Sequence, residues 1–215
     1  PIRLVPSHVA TQAPSISAAC RRVVSVTIGD RFTRLDAGRY AINPAAAEDY
    51  DALVGALVAD GGMPPHLVHL WNVTDGAPVT AGGDEYDALR DRSFFSLLYL
   101  AQAIAREDIA DALRLDVISS DMQQVAGELR LSPAKAMLLG PCKVIARELP
   151  NVRSRSIDIE VPATRSRSEN RLLDQLAAEL LAESTDEVVA YRGADRWVQT
   201  FEHADLPTRG TEGLG

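Results

Sequence analysis

A backbone that closely approaches a pyrophosphate needs a glycine-rich turn leading into a helix N-terminus. The chain contains 14 glycines, yet neither GxGxxG nor TGxxxGxG occurs in it. The loop after the first β-branched run carries one glycine, Gly29, followed by Asp30, whose carboxylate would repel phosphate. Gly61 and Gly62 close a helical stretch, which is the wrong context for a cradle. The histidines, His8, His66, His69 and His203, are scattered, and Cys20 and Cys142 form no CxxC pair, so no metal site or disulfide framework is indicated. His66 and His69 lie three apart on one strand pattern and therefore face opposite sides of it. The cysteines read as reduced thiols of a cytoplasmic protein. Arg192, Arg196 and Trp197 cluster in YRGADRW. That cluster suits either a contact surface, where arginine and tryptophan are enriched, or an exposed turn with Trp197 folded onto the core. The Arg-Ser pairs at 165–168 read as a polar loop ahead of a helix.

The elements that would position such groups alternate in kind. Residues 1–20, with Pro1, Pro6 and Pro14, have no clear period and read as irregular. Arg22 to Ile28 is a β-branched run that reads as a buried strand, and Phe32 to Asn43 reads as extended. A helix starts near Pro44, repeats Tyr50, Leu53, Val54, Leu57 and Val58 at three and four residues, and ends at Asp60-Gly61-Gly62. Leu67 to Val73 is the next strand, with Trp71 in a packing role and Asn72 in a turn. Tyr86 to Ala105 is a long helix, apolar on nearly every face from Phe94 to Leu100. Such a helix is buried on several sides or meets a partner, which makes Phe94 and Phe95 interface candidates.

Leu113 to Ser119 is a strand, and Ser132-Pro133 opens a helix that runs to Glu148 with a kink at Pro141. Val152 to Val161 is a strand, and Glu169 to Ala182 is an amphipathic helix. Val188 to Tyr191 and Trp197 to Phe201 are short strands around Arg192-Gly193, and the tail after Leu206 reads as a linker. This alternation predicts an α/β fold with a mainly parallel sheet and helices on both faces.

Composition sets limits on what the chain can be. A chain of 215 residues supports one domain with a real core. The formal charge of −8 opposes a phosphate backbone, which argues against nucleic acid as a partner. No apolar run approaches the roughly 18 residues of a membrane span, and the N-terminus has no signal-peptide pattern.

The middle of the chain resembles the short-chain dehydrogenase family. DVISS at 116–120 is similar to the strand that ends at that family's catalytic serine, and Ala146-Arg147-Glu148 aligns Lys135 with its lysine. The resemblance then assigns the tyrosine position to Leu131, which has no proton to deliver to a carbonyl oxygen. Ser119, Ser120, Leu131 and Lys135 are therefore degenerate positions. The plain alternative is a strand-end turn for the serines and a solvated first-turn side chain for Lys135.

The segments HLWNVT (69–74), SFFSLLYLAQA (93–103), KAMLLGPCKVIARELPNVRSRSIDI (135–159) and VVAYRGADRWVQTFE (188–202) narrow the resemblance to the structural, non-catalytic subdomain of modular polyketide synthase ketoreductases. That resemblance implies a truncated Rossmann-like domain over 21–206, an irregular segment at 1–20 in place of the family's opening strand and helix, and a linker at 207–215 toward a catalytic half that lies outside this chain. It implies no cofactor or catalytic residue here, with NADPH bound by the other half. Its implied partners are the catalytic ketoreductase half, other polyketide synthase domains and, indirectly, an acyl carrier protein. An autonomous short-chain dehydrogenase-like oxidoreductase using Ser119 and Lys135, or a stand-alone interaction module, are the competing readings.

Overall fold

In the computed structural model, residues 2–4, 23–74, 82–128, 130–162 and 166–203 are described. The strands are β1 (Ile2–Leu4), β2 (Val24–Ile28), β3 (Thr33–Asp36), β4 (Arg39–Ile42), β5 (His66–Asn72), β6 (Leu113–Ser120), β7 (Val152–Ile159), β8 (Val188–Arg192) and β9 (Asp195–Val198). They form one sheet in the order β3-β4-β2-β1-β5-β6-β7-β8-β9. The seven inner strands run parallel, and β3 and β9 pair antiparallel at the two edges.

One expectation fails at the start of the chain. Ile2–Leu4, inside the stretch read as irregular, is a strand in the middle of the sheet. Ile2 stands opposite Val24 of β2 and Leu67 of β5. Three residues are too few to show a period of two, so only the neighbouring strands reveal the element. Residues 5–22 of that segment, and the expected linker at 207–215, lie outside the described residues.

Phe32 to Asn43 is not a single extended run but the β3–β4 hairpin, which turns at Gly38 with φ of +82°. A backbone in that region favours glycine. The second hairpin turns at Gly193, φ +59°, and Arg192 pairs with Asp195. A turn this tight starts the last strand two residues before the expected Trp197.

The helices are α1 (Ala47–Ala59), α2 (Asp84–Arg90), α3 (Ser96–Arg106), α4 (Leu139–Glu148) and α5 (Arg167–Leu181). A wide π turn, Asp91–Phe95, joins α2 to α3, so the long helix expected at Tyr86 to Ala105 is interrupted in its middle. A 3₁₀ turn, Pro133–Leu138, precedes α4. Pro141 falls in the first turn of α4, where a missing N–H breaks no intrahelical bond, and the change of helical type comes just ahead of it. Ser166 caps α5, its Oγ accepting from the Glu169 N–H at 3.1 Å; this is the Ser-x-x-Glu start signal.

Two apolar clusters flank the sheet. Tyr50, Leu53 and Leu57 of α1, Leu97 and Leu100 of α3, and Ile145 of α4 pack on one face. Leu176 and Leu180 of α5 meet Val68, Ile118, Ile157 and Val189 on the other. Helices thus cover both faces, as the alternation predicts. At about 1.5–3 kcal/mol for each fully buried aliphatic side chain, these clusters are the main favourable term of the fold.

Candidate functional site

The strand order reverses between β1 and β5: β2 follows β1 on one side, and the chain returns to β5 on the other. In open α/β sheets ligands bind outside the carboxyl ends of the strands at such a switch point. A pyrophosphate cradle would therefore follow Leu4, and not Ile28 as the sequence pattern suggests. From Pro1 to Ile28 the chain contains no glycine. Gly29, at the end of β2, has a packing reason: a Cβ there would come within 3.0 Å of the Ala41 Cβ.

Beside the switch point, the carboxyl ends of β5 and β6 and the 3₁₀ turn bring together Thr74, Ser120 and Lys135. Lys135 is not solvated, with only 3% of its surface exposed. Its Nζ donates to Ser120 Oγ and to the Ser120 carbonyl, each at 2.8 Å, and to Thr74 Oγ1 at 2.9 Å. An ammonium has three hydrogens, and these acceptors use all of them. Burial lowers the Lys135 pKa to about 8, against the pull of Asp121 and Asp158.

Nor are the serines a simple strand-end turn. Ser120 Oγ donates to the Thr74 carbonyl at 2.7 Å and accepts from the Thr74 N–H at 3.0 Å, tying β6 to the chain after β5. Ser119 is buried and donates to Asp158 Oδ1 at 3.0 Å. Asp158 also accepts from the Met122 and Gln123 N–H groups and pairs with Arg192 Nη2 at 2.7 Å. Leu131 is half-buried beside Ser132 and contributes no titratable group. Sequence reasoning brings Ser119, Ser120 and Lys135 to one place correctly, but it misses their burial and the role of Thr74.

Other sequence candidates resolve differently. Asn72 is a clamp between β5 and the π turn and not a turn residue. Its Nδ2 donates to the Arg92 carbonyl at 3.3 Å, and the Ser93 hydroxyl donates to its Oδ1 at 2.7 Å. Trp71 is buried, as expected. His66 and His69 do face opposite sides: His66 Nε2 lies 2.6 Å from Asp116 Oδ2, and His69 Nε2 lies 2.9 Å from Ser96 Oγ. Burial pushes the His69 pKa down to about 3, so this ring is neutral. Among the described residues no cluster of histidine, cysteine and carboxylate side chains is placed to hold a metal ion. Burial pushes the Cys142 thiol up to about 12, which removes it as a nucleophile.

The interface candidates also divide. Arg192 is buried and paired with Asp158 and Glu128, so its guanidinium is an internal tie. Arg196 is exposed on β9 and pairs with Glu179 and Asp186. Trp197 stays 43% exposed on the edge strand β9. Phe94 is exposed at the π turn, and Phe95 stacks on Tyr99 with Arg90 over its ring. A cavity of about 470 Å³ opens beyond β6–β8, lined by Asp121, Gly127, Glu128, Arg130, Glu160 and Arg192.

Under α5 lies a network that sequence reasoning misses. Asp116 is bonded by His66, Arg114 and Arg155, while Glu179 is bonded by Arg155, Arg196 and the Tyr191 hydroxyl. The available signal is the run VRSRSIDI in β7, whose Ser154, Arg155, Ser156 and Asp158 are all buried. A central parallel strand is ordinarily apolar on both faces.

Comparison with known proteins places this geometry. The family described as beta-ketoacyl synthase-like, N-terminal, matches residues 8–179. One of the phenolphthiocerol/phthiocerol polyketide synthase proteins of Mycobacterium tuberculosis (strain CDC 1551 / Oshkosh) is 26% identical over 169 residues, which cover 77% of this chain and 9% of that protein. The chain thus spans about a tenth of the length of the curated relatives it matches. Among solved structures, the adenylation, ketoreductase and pseudo Asub multidomain structure of a keto acid-selecting NRPS module superposes with a TM-score of 0.78 at 21% identity, covering 92% of this chain and 16% of that one. A C2-type ketoreductase from a modular polyketide synthase superposes with a TM-score of 0.60 at 22% identity, covering 96% of this chain and 41% of that one. At such identities the likeness establishes the fold, a Rossmann-like sheet shared with ketoreductases.

Proposed function

The chain belongs to the beta-ketoacyl synthase-like, N-terminal family, and from that premise we propose that it is the structural, non-catalytic half of a polyketide synthase ketoreductase. The observation that carries the reading is the state of Lys135. All three ammonium hydrogens are engaged by Ser120 and Thr74, so none is left for a ribose or for activating an acid. The position that would hold a tyrosine is Leu131. The residues at the switch point lack glycine, which supports the same reading.

In this role the chain is a rigid α/β body beside a catalytic half. The whole assembly reduces carrier-bound 3-oxoacyl chains with NADPH, and the cofactor sits in the other half. The relatives' names, which are those of polyketide synthase proteins and of a ketoreductase within a larger module, support this assignment.

A fluorescence titration with NADPH tests it. The chain alone gives no saturable change, and co-expression with a catalytic ketoreductase half yields a stable complex. Stoichiometric NADPH binding, or turnover of a ketone by this chain alone, would instead establish the autonomous oxidoreductase. One observation favours that second reading: the Lys135 pKa, lowered to about 8, lies in the range of a working acid–base group.

A further inference from the structure

The two edges of the sheet are finished differently. An edge strand offers unpaired N–H and C=O groups to any second strand, and proteins blunt such edges with bulges, lysine or proline. The β3 edge is irregular: its register against β4 shifts between Arg34 and Asp36. The β9 edge is regular. It pairs with β8 without a shift, from Arg192 opposite Asp195 to Val189 opposite Val198, and carries neither lysine nor proline. All of its residues are exposed, with Trp197 at 43% and Val198 at 39%.

The register also fixes which groups of β9 face outward. The Gln199 N–H donates to the Val188 carbonyl at 3.1 Å, which continues the β8–β9 ladder with a hydrogen-bonded pair. Hydrogen-bonded and non-hydrogen-bonded pairs alternate along an antiparallel ladder. Asp195 and Trp197 therefore bond to β8, and Arg196 and Val198 turn their N–H and C=O groups away from it. Among the described residues these outward groups have no partner. The side chains divide as well. Arg196 reaches Glu179 of α5, so Trp197 stands on the opposite face of the strand, away from that helix.

We infer that β9 is a self-association edge that takes β9 of a second copy, antiparallel, about a twofold axis at Trp197. A twofold contact sets the same strand on both sides, and the outward groups allow it to centre on Arg196, Trp197 or Val198. Centring on Arg196 sets like charges directly opposite, which is unfavourable. Centring on Val198 sets Trp197 against Gln199 of the other copy. Centring on Trp197 joins Arg196 to the partner's Val198 through both outward groups. It also sets Trp197 against itself in a non-hydrogen-bonded pair, where side chains come closest and an aromatic pair is favourable. A second copy is thus an occupant whose backbone and side chains already match the edge. The contact is one strand pair, below standard interface size, so its Kd is expected at roughly 10–100 μM. It requires only β9 and is independent of the scaffold role.

Sedimentation velocity of the full chain across that concentration range tests it, with far-ultraviolet circular dichroism as a second reading. Wild type passes from monomer to dimer, and an exciton couplet from the paired indoles grows with the dimer. Val198→Pro removes an outward N–H that makes no bond within the chain, so it keeps the wild-type urea midpoint and stays monomeric throughout. Trp197→Thr, which suits a strand, loses the couplet and weakens association at least about tenfold. If Val198→Pro folds poorly, Trp197→Thr decides alone. The self-pairing is overturned if wild type stays monomeric well above that range, even where a catalytic ketoreductase half covers the same edge. It is equally overturned if the dimer forms without a couplet, or if the folded variants dimerise as wild type does.

Discussion

The two buried polar clusters of this molecule are built on opposite principles. Beneath α5, Arg114, Arg155 and Arg196 face Asp116, Glu179 and Asp186, with His66 and Tyr191 satisfying the remaining oxygens. Charge is neutralised in place, and Arg155, Tyr191 and Arg196 tie the sheet and the last hairpin to Glu179 on the helix. At the ends of β5 and β6, Lys135 is held only by neutral oxygens, and the Arg92 Nε lacks a partner. The first arrangement is a fastening. The second holds its charge on neutral oxygens alone. Buried charge alone therefore does not mark function; what distinguishes the clusters is whether the charge is matched.

That contrast predicts an ordered set of effects. Arg155→Met removes the buried cation that Asp116 and Glu179 share and costs about 3–5 kcal/mol, read from urea unfolding. A loss no larger than that of a surface arginine would show the fastening to be decorative. Acid attacks the same cluster. Burial works against the Glu179 carboxylate, but the bonds from Arg196, Tyr191 and Arg155 outweigh it and hold its pKa at about 2, below the ordinary 4.5. Its folded-state pKa is depressed, so its contribution is complete above about pH 4.5 and disappears as pH falls toward 2. Urea midpoints should fall steeply across that window in wild type and less so in Glu179→Gln.

Lys135→Met, by comparison, strands neutral oxygens only and costs about 1–3 kcal/mol. The same lysine gives the opposite pH trend. Its folded-state pKa of about 8 lies below its ordinary 10.5, so the native chain releases the proton first, and Lys135 adds stability as pH rises between those values. Lys135→Met should lack that rise, and an identical rise in the variant would assign it elsewhere. The smallest effect is expected outside both clusters. Trp197→Thr on the exposed edge strand should change stability by no more than about 0.5 kcal/mol, while weakening association with a catalytic half if that edge is a contact surface.

What the sequence discloses follows from how local each signal is. The Ser-x-x-Glu start of α5 and the short apolar runs of β2, β5 and β6 depend on neighbours a few residues away and are read correctly. The resemblance to the short-chain dehydrogenase family, and not any period in the chain, brings Ser119, Ser120 and Lys135 together. The burial of Lys135 depends on Thr74, 61 residues distant, and no period in the sequence reports such a contact. The Arg155 fastening is hidden for the same reason: its partners sit on β6 and α5. The π turn at Asp91–Phe95 is invisible because one extra residue in a helical turn barely disturbs an apolar face.

The three-residue strand Ile2–Leu4 has a consequence for how the molecule opens. It is the seam of the sheet: β3, β4 and β2 connect to β5–β9 only through its hydrogen bonds, although α1 and α3 also pack together across the join. Its partners lie far along the chain, with Ile2 against Leu67, so the loop it closes is long and the pairing forms slowly. A short central strand flanked by two larger blocks is where a cooperative unit divides most easily. Native-state amide exchange should therefore show β2 and β4 opening as one group and β5 to β8 as a slower one.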